Sequence, residues 1–499
     1  MKKLIYIALL GLIATSCTED TMDNINKDTQ NPPVNAVPVK LQITDGIMAT
    51  GFTTMSGSYA WYVSSYTEQE FGTGNNQLMN AELRKSVETA SSSTFNNEWN
   101  GTYANLLNLK QIIDKVAPDK VGQGQIDILG MAQVLYALNF GVLTDLHGDI
   151  PCSEALKGLE NTTPALDKQQ DVYNNCIFKN LDMGITNLKA AVSAGINAKK
   201  GNAGSQDILY ANDCKKWIGA AYALKARYLL HTMVKNSAIL PKVEEACDSA
   251  LSFSFQGMDI TVFDGDASNN PWWAYYASRE YTGSSKTVAD LMKSLNDPRY
   301  DVYVTPFVNS RGKASPILIG EPGNEAQAKL TSGVSRPAWL DDYFGTGANA
   351  SIHMMSASEL YFIKAEVQLR RGEDATDAFS SAIGASFADY QNFTETSLNS
   401  EAYIASLGAP TLKKLFEQKY LSQCRDEQIE AYNDIRRCEA LGEKYIILTN
   451  PNNLQGGINR WPKLLPYGNS SVISNPTIKA AYGDGTYIFT TKSWIFGGN

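Results

Sequence analysis

The chain has 499 residues, 43 Lys and Arg against 52 Asp and Glu, a formal net charge of -9 and three histidines. An acidic balance of this kind repels nucleic acid and anionic lipid rather than seeking them, and three histidines supply a histidine-based hydrolase or metal enzyme poorly. Length alone suggests two or three domains, yet no linker divides the chain, so one domain is expected.

Met1-Lys2-Lys3 is a short positive segment, Leu4 to Ala14 is almost unbroken apolar sequence, and small residues precede Cys17. The run is too short to span a bilayer, and no other run approaches the roughly 20 residues a spanning helix needs. Residues 1–16 read as a signal peptide. Leu12 to Cys17 resembles a lipobox, which makes Cys17 the acylated N-terminus, and several acyl chains together anchor durably. Residues 17–38, polar and acidic as far as Asn31-Pro32-Pro33, read as a flexible tether. Acidic residues directly behind the lipidated cysteine resemble the surface-export signal of Bacteroidetes lipoproteins. Residues 39–499 form the expected domain.

Apolar periodicity predicts one or two helices over Leu41 to Tyr66, then a pair over Phe95 to Val116 and Gln125 to Leu146. Asp171 to Ala194, Asp213 to Val234 and Val243 to Leu251 follow, and later Ala357 to Arg371, Asp374 to Ile383 and Leu412 to Leu441. Two stretches read as close-packed hairpins. One joins Trp217 to Leu224 with a return helix carrying Ala246 and Ala250. The other joins Glu359 to Glu366, past Gly372, with Ala375, Ala378 and Ala382. Small residues at successive antiparallel crossings resemble tetratricopeptide units. The fold class expected is mostly α, built of such hairpins with long aromatic-rich loops. Those loops are Gly72 to Gln77, Phe255 to Ser285, Asn309 to Tyr343 and Asn450 to Asn499, longer than a compact domain tolerates without a use.

The sequence carries no catalytic signature. It has no His-Glu-x-x-His, nucleophile elbow, P-loop or dinucleotide fingerprint, and it calls for no cofactor or metal. Asp264-Gly265-Asp266 lacks the rest of a calcium loop and reads as a turn. Asp341-Asp342 is a carboxylate pair expected by chance in an acidic chain. Cys152, Cys176, Cys214, Cys247, Cys424 and Cys438 have no metal-ligand spacing and read mostly as small buried hydrophobes.

Aromatic residues make up 10% of the chain, and they point to binding. The densest run, Pro271-Trp272-Trp273-Ala274-Tyr275-Tyr276, lies in a polar stretch flanked by Asn269, Asn270 and Arg279. Flat rings with polar rims suit the faces of sugar rings. Trp272, Trp273, Tyr275 and Tyr276 are the leading ligand-binding candidates, with Trp61, Tyr66 and Trp339 behind them. In an extended loop, Trp273 and Tyr275 would project differently from Trp272 and Tyr276.

Asn139 to Leu156, containing Leu143-Thr144-Asp145 and Gly148-Asp149-Ile150-Pro151, resembles a block of the SusD/RagB-like nutrient-binding outer-membrane lipoproteins, with Cys152 where that family has an aromatic. Asp171-Val172-Tyr173, Asp207 to Tyr210 before Trp217, Asn270-Pro271-Trp272, Asn296 to Arg299, Met354 to Glu366 and Ala431 to Arg437 follow in the family's order. Read locally, Asp145 to Ser153 is a helix exit and His147 a structural residue. The resemblance implies a SusD-like helical fold and a SusC-like TonB-dependent transporter as partner. It also implies outer-membrane, cell-surface localisation and capture of an oligosaccharide or a peptide without catalysis. A surface glycoside hydrolase and a helical protein-binding adaptor are the competing readings.

Overall fold

The computed structural model describes residues 36–74, 77–85, 94–279, 281–306, 313–314, 316–331, 347–394, 396–424 and 426–498. Cys17, the tether before residue 36, Trp339 and Asp341-Asp342 lie outside them. Val39–Asn499 form one unit of mutual contacts.

The principal helices are α1 (Val39–Ala49), α2 (Ser58–Tyr66), α3 (Asn96–Val116), α4 (Ile126–His147), α5 (Lys179–Ser193), α6 (Cys214–His231), α7 (Leu240–Ser252), α8 (Pro271–Arg279), α9 (Ala357–Arg371), α10 (Thr376–Gln391), α11 (Leu412–Ser422) and α12 (Gln428–Ala440). They pack in series: α3 on α4, α4 on α5, α5 on α6, α6 on α7, α7 on α9, and α9 on both α10 and α11. This is the mostly α, tetratricopeptide-like stack expected from the hairpin pattern. Both hairpins read from small residues are present, as α6/α7 and α9/α10. Close approach needs glycine where backbones meet: a Cβ on Gly130 of α4 would sit 3.1 Å from the Gly184 carbonyl of α5.

Local chemistry sets the helix ends. The Asp213 carboxylate accepts from the Lys215 and Lys216 amides at the start of α6, and the Ser356 hydroxyl caps α9 at Glu359. Gly372, in the left-handed conformation, ends α9. Three boundaries differ from expectation. The first helical stretch breaks into α1, a π-helical Thr50–Met55 and α2. A second π turn, Tyr173–Phe178, lies ahead of α5. The last long stretch divides between Ser422 and Gln428, and α12 packs against α2.

Strands are short. β1 (Glu70–Gly72), β2 (Gly257–Ile260), β3 (Thr282–Ser284) and β4 (Ile352–Ser356) pair antiparallel as β1–β3 and β2–β4. A hairpin of β5 (Leu454–Gln455) and β6 (Ile458–Asn459) turns at Gly456-Gly457. These ladders tie the connections to the helices rather than building a layer of their own.

The family-like blocks are cross-links of the core. Gly148 leaves α4 with φ 80°, where a side chain would be strained. The Asp149 carboxylate accepts from the Gln169 amide at 2.9 Å, and the Tyr467 hydroxyl donates to the Asp149 carbonyl at 2.9 Å. Arg436 donates to the carbonyls of Asp145 and Lys463 at 2.8 and 2.9 Å. Arg437 pairs with Glu366 and with Asp434. Arg299 pairs with Asp297 at 2.6 Å and donates to Ser386 and Gln418.

Candidate functional site

The aromatic run is a helix rather than an extended loop. The Asn270 side-chain oxygen accepts from the amides of Trp272 and Trp273 at 2.9 and 3.2 Å. Pro271 occupies the first helical position, where no N–H is missed. Asn270 also donates from its backbone to Ala348 at 2.7 Å and from its side chain to Ala350 at 3.1 Å. One buried amide therefore both starts α8 and holds it against the 347–350 segment.

Helical spacing then decides which ring goes where. Trp272 points inward and is fully buried. Tyr275, three residues on, stacks on Trp61 of α2 with ring centroids 3.7 Å apart and planes 17° apart. Trp272 meets Trp61 edge-on at 6.2 Å, and Tyr281 meets Tyr275 edge-on at 6.0 Å. Trp61, Trp273 and Tyr275 are half-buried. Among the described residues, Trp61 Nε1 and Asn269 Oδ1 have no hydrogen-bond partner.

Two candidates are corrected by burial. Tyr66 is fully enclosed, with the Arg84 guanidinium 5.2 Å above its ring, and Trp272 is equally enclosed. Both are packing side chains with no face open to a ligand. The side chain of Tyr276 lies outside the described residues, as does that of Arg279. The structure thus brings together Trp61 and Tyr275, and adds Tyr281, which sequence reading passed over; Trp273 is half-buried two residues before Tyr275 on α8. The pattern Asn-Pro ahead of aromatic residues, an N-cap followed by a favoured first residue, was the signal for a helix here.

The titratable groups serve the fold. His147 lies between the Tyr59 hydroxyl at 2.9 Å and the Leu465 carbonyl at 3.1 Å, and burial pulls its pKa down to about 3. Asp145, His231 and Glu430 cluster in the core. The two ring nitrogens of His231 face different carboxylates, so the cluster is an ion-pair bridge rather than a chelating pocket. Asp264 accepts from the amides of Asp266 and Ser268, the expected turn. The cysteine reading needs one amendment: Cys152 and Cys176 form a disulfide. The Ile150–Asp167 bridge folds the connection back and brings the two ends together. Cys214, Cys247, Cys424 and Cys438 are buried thiols.

Helical hairpins in series, with an aromatic helix carried on a cross-connection, define a tetratricopeptide-like scaffold with a ring cluster displayed from it. A family profile described as "Starch-binding associating with outer membrane" matches residues 58–440. A SusD/RagB family protein from Bacteroides thetaiotaomicron is 32% identical, over 93% of this chain and 100% of its own, with a TM-score of 0.80. The chain belongs to the SusD-like family. A chitin-binding SusD homolog from Flavobacterium johnsoniae is 19% identical over 91% of this chain and 98% of its own, TM-score 0.66. A SusD homolog from Bacteroides fragilis is 19% identical over 92% and 100%, TM-score 0.69. At that identity these two bear on the fold alone. No curated protein matches the chain.

Proposed function

We propose that this protein is a non-catalytic surface lipoprotein that captures an oligosaccharide and passes it to a SusC-like TonB-dependent transporter. The observation that carries the reading is the Trp61–Tyr275 stack, with half-buried Trp273 on the same helix as Tyr275. Axial C–H groups of a pyranose pack on such rings, and a stacked ring contributes on the order of 1 kcal/mol beyond its area burial. Family membership supports the same reading, and a relative of the same fold described as chitin-binding brings β-linked amino sugars into the range to be tried.

The test is titration of the full chain with starch and chitin oligosaccharides and with mixed peptides. One glycan class should bind and be recovered intact. Trp61→Ala or Tyr275→Ala should weaken that binding several-fold to tenfold, with a smaller drop in melting temperature than Trp272→Ala because both rings are half-buried. Trp272→Ala should instead cost about 3–5 kcal/mol of stability. Cleavage of the glycan, peptide-only binding, or affinity indifferent to both ring deletions would overturn the reading.

A further inference from the structure

The chain is acidic as a whole, but its charge is unevenly spread. Lys199 and Lys200 lie in the Ala198–Lys200 turn, and Lys215 and Lys216 in the first turn of α6. The Ala198 amide donates to the Asn212 carbonyl at 2.8 Å, and the Cys214 amide donates to the Asn197 side chain at 2.7 Å. The two lysine pairs are therefore carried on adjoining backbone.

Further bonds tie that place to the first helices. Asp127, in the first turn of α4, accepts from the Asn202 amide and the Asn212 side chain at 2.7 and 3.0 Å. The Thr44 hydroxyl of α1 donates to the Gln206 carbonyl at 2.6 Å. At the end of α3, Lys115 donates to Gln42 of α1, and its carbonyl accepts from the Gly122 amide at 2.9 Å. One end of the helical stack thus gathers the four lysines, the start of α1 with Lys40 and Leu41, and the connection from α3 to α4 with Lys120 and Val121. All six lysines are exposed, and among the described residues none forms a salt bridge. Apart from the Lys110–Asp114 pair, the carboxylates outside the core on these segments are Asp45, Asp119 and Asp213, three against the six lysines.

A basic surface spread over three elements suits a plane of anions better than a single small one. Leu41 and Val121 are exposed beside Lys40 and Lys120, a mixture that settles at the boundary between lipid headgroups and acyl chains. The chain's own covalent path separates a membrane from other polyanions. Residues 17–38 run directly into α1 at Val39, at this same end. With Cys17 acylated, a tether of that length holds this end within about 25 Å of the bilayer, which raises its effective concentration there far above that at a soluble polyanion. The anchor sets the distance, and the lysines set which end faces the lipid.

We propose that this basic end docks on anionic lipid headgroups beside the anchor, orienting the starts of α1, α4 and α6 toward the membrane. The proposal rests on the lipoprotein reading. Each lysine brought to an anionic surface strengthens attachment about fivefold.

The test uses the full lipidated chain on vesicles of phosphatidylcholine, alone or mixed with phosphatidylglycerol, with amine-reactive footprinting of the lysines. On the mixed vesicles, labelling of Lys199, Lys200, Lys215 and Lys216 should fall at least threefold relative to the neutral ones. It should recover in about 1 M salt, where the screening length is about 3 Å. Lys444 and Lys479, exposed elsewhere, should label equally on both. The combined variant Lys199→Glu, Lys200→Glu, Lys215→Glu, Lys216→Glu should keep its melting temperature within a few degrees and its glycan affinity, yet lose the protection of Lys40 and Lys120. Equal labelling on the two vesicle types would overturn the proposal, as would protection of Lys444 and Lys479 to the same degree. So would protection by soluble polygalacturonate on neutral vesicles without protection by phosphatidylglycerol, which would make the surface an acidic-glycan site. Flotation with neutral vesicles reports the acyl anchor separately: its absence would refute lipidation, while footprinting on the mixed vesicles would still decide the basic end.

Discussion

His231 bridges two carboxylates in the core, with Nδ1 3.0 Å from Asp145 and Nε2 2.9 Å from Glu430. Burial alone would favour the neutral ring, but Glu430 and Asp145 outweigh it and hold the pKa up at about 9. His147 lies at the other extreme, its pKa pulled down to about 3 by burial. The two act on stability with opposite signs. The His231 pKa is raised above the ordinary 6.5, so its contribution is complete below pH 6.5 and is lost as pH rises through about 9. The His147 pKa is depressed, so its contribution is present above pH 6.5 and is lost as pH falls through about 3. Between them these two sites favour the folded state most near pH 6.5, and the alkaline loss is on the order of a few kcal/mol. Calorimetric melts of His231→Gln should show a lower melting temperature at pH 6.5 and a flatter decline from there to pH 9. A decline as steep as in the wild type would assign it to other groups.

At the scale of elements, α8 shows how one residue sets a binding geometry. Asn270 caps the helix and ties it to Ala348 and Ala350, so Asn270→Ala removes an N-cap and leaves the Ala350 carbonyl short of a donor. The cap alone is worth about 0.5–2 kcal/mol. The expected outcome is that modest loss of stability with a disproportionate loss of glycan affinity, because Tyr275 depends on the register of α8 to meet Trp61. Wild-type affinity in a destabilised variant would show that α8 is held by its packing alone. The Cys152–Cys176 bond works at the same scale, fixing both ends of the connection that leaves α4. Helix placement was legible here because buried faces repeat every three to four residues. The π turns and the break between α11 and α12 were not, because they answer to packing partners far away in sequence.

For the whole molecule, the expectation is attachment through Cys17. Among the described residues α4 is the one helix long and apolar enough to cross a membrane, and it packs between α3 and α5 inside the stack. Cys17→Ala should therefore move the protein from the membrane fraction to the soluble fraction. Retention in the membrane with an unchanged mature N-terminus would refute lipidation. The same fractionation in mild detergent reports on the transporter, which should co-purify with the anchored form.

The sequence by itself determined the class of molecule. Apolar periodicity specified the helices, small residues at Ala246, Ala250, Ala378 and Ala382 specified tight hairpins, and the ordered blocks from Thr144-Asp145 to Arg436-Arg437 specified the family. It also placed the aromatic run at residues 271–276. What it left open was which rings are available, since Trp272, Trp273 and Tyr275 are equivalent in composition. Only the tertiary structure decided that, by starting a helix at Pro271, turning Trp272 into the core and bringing Tyr275 onto Trp61 from more than 200 residues away. The same holds for Tyr66, whose neighbours Arg84 and Trp461 come from other segments. Periodicity along the chain records which face of a helix is buried. It does not record what buries it, and exposure of a given ring is set by that second, non-local fact.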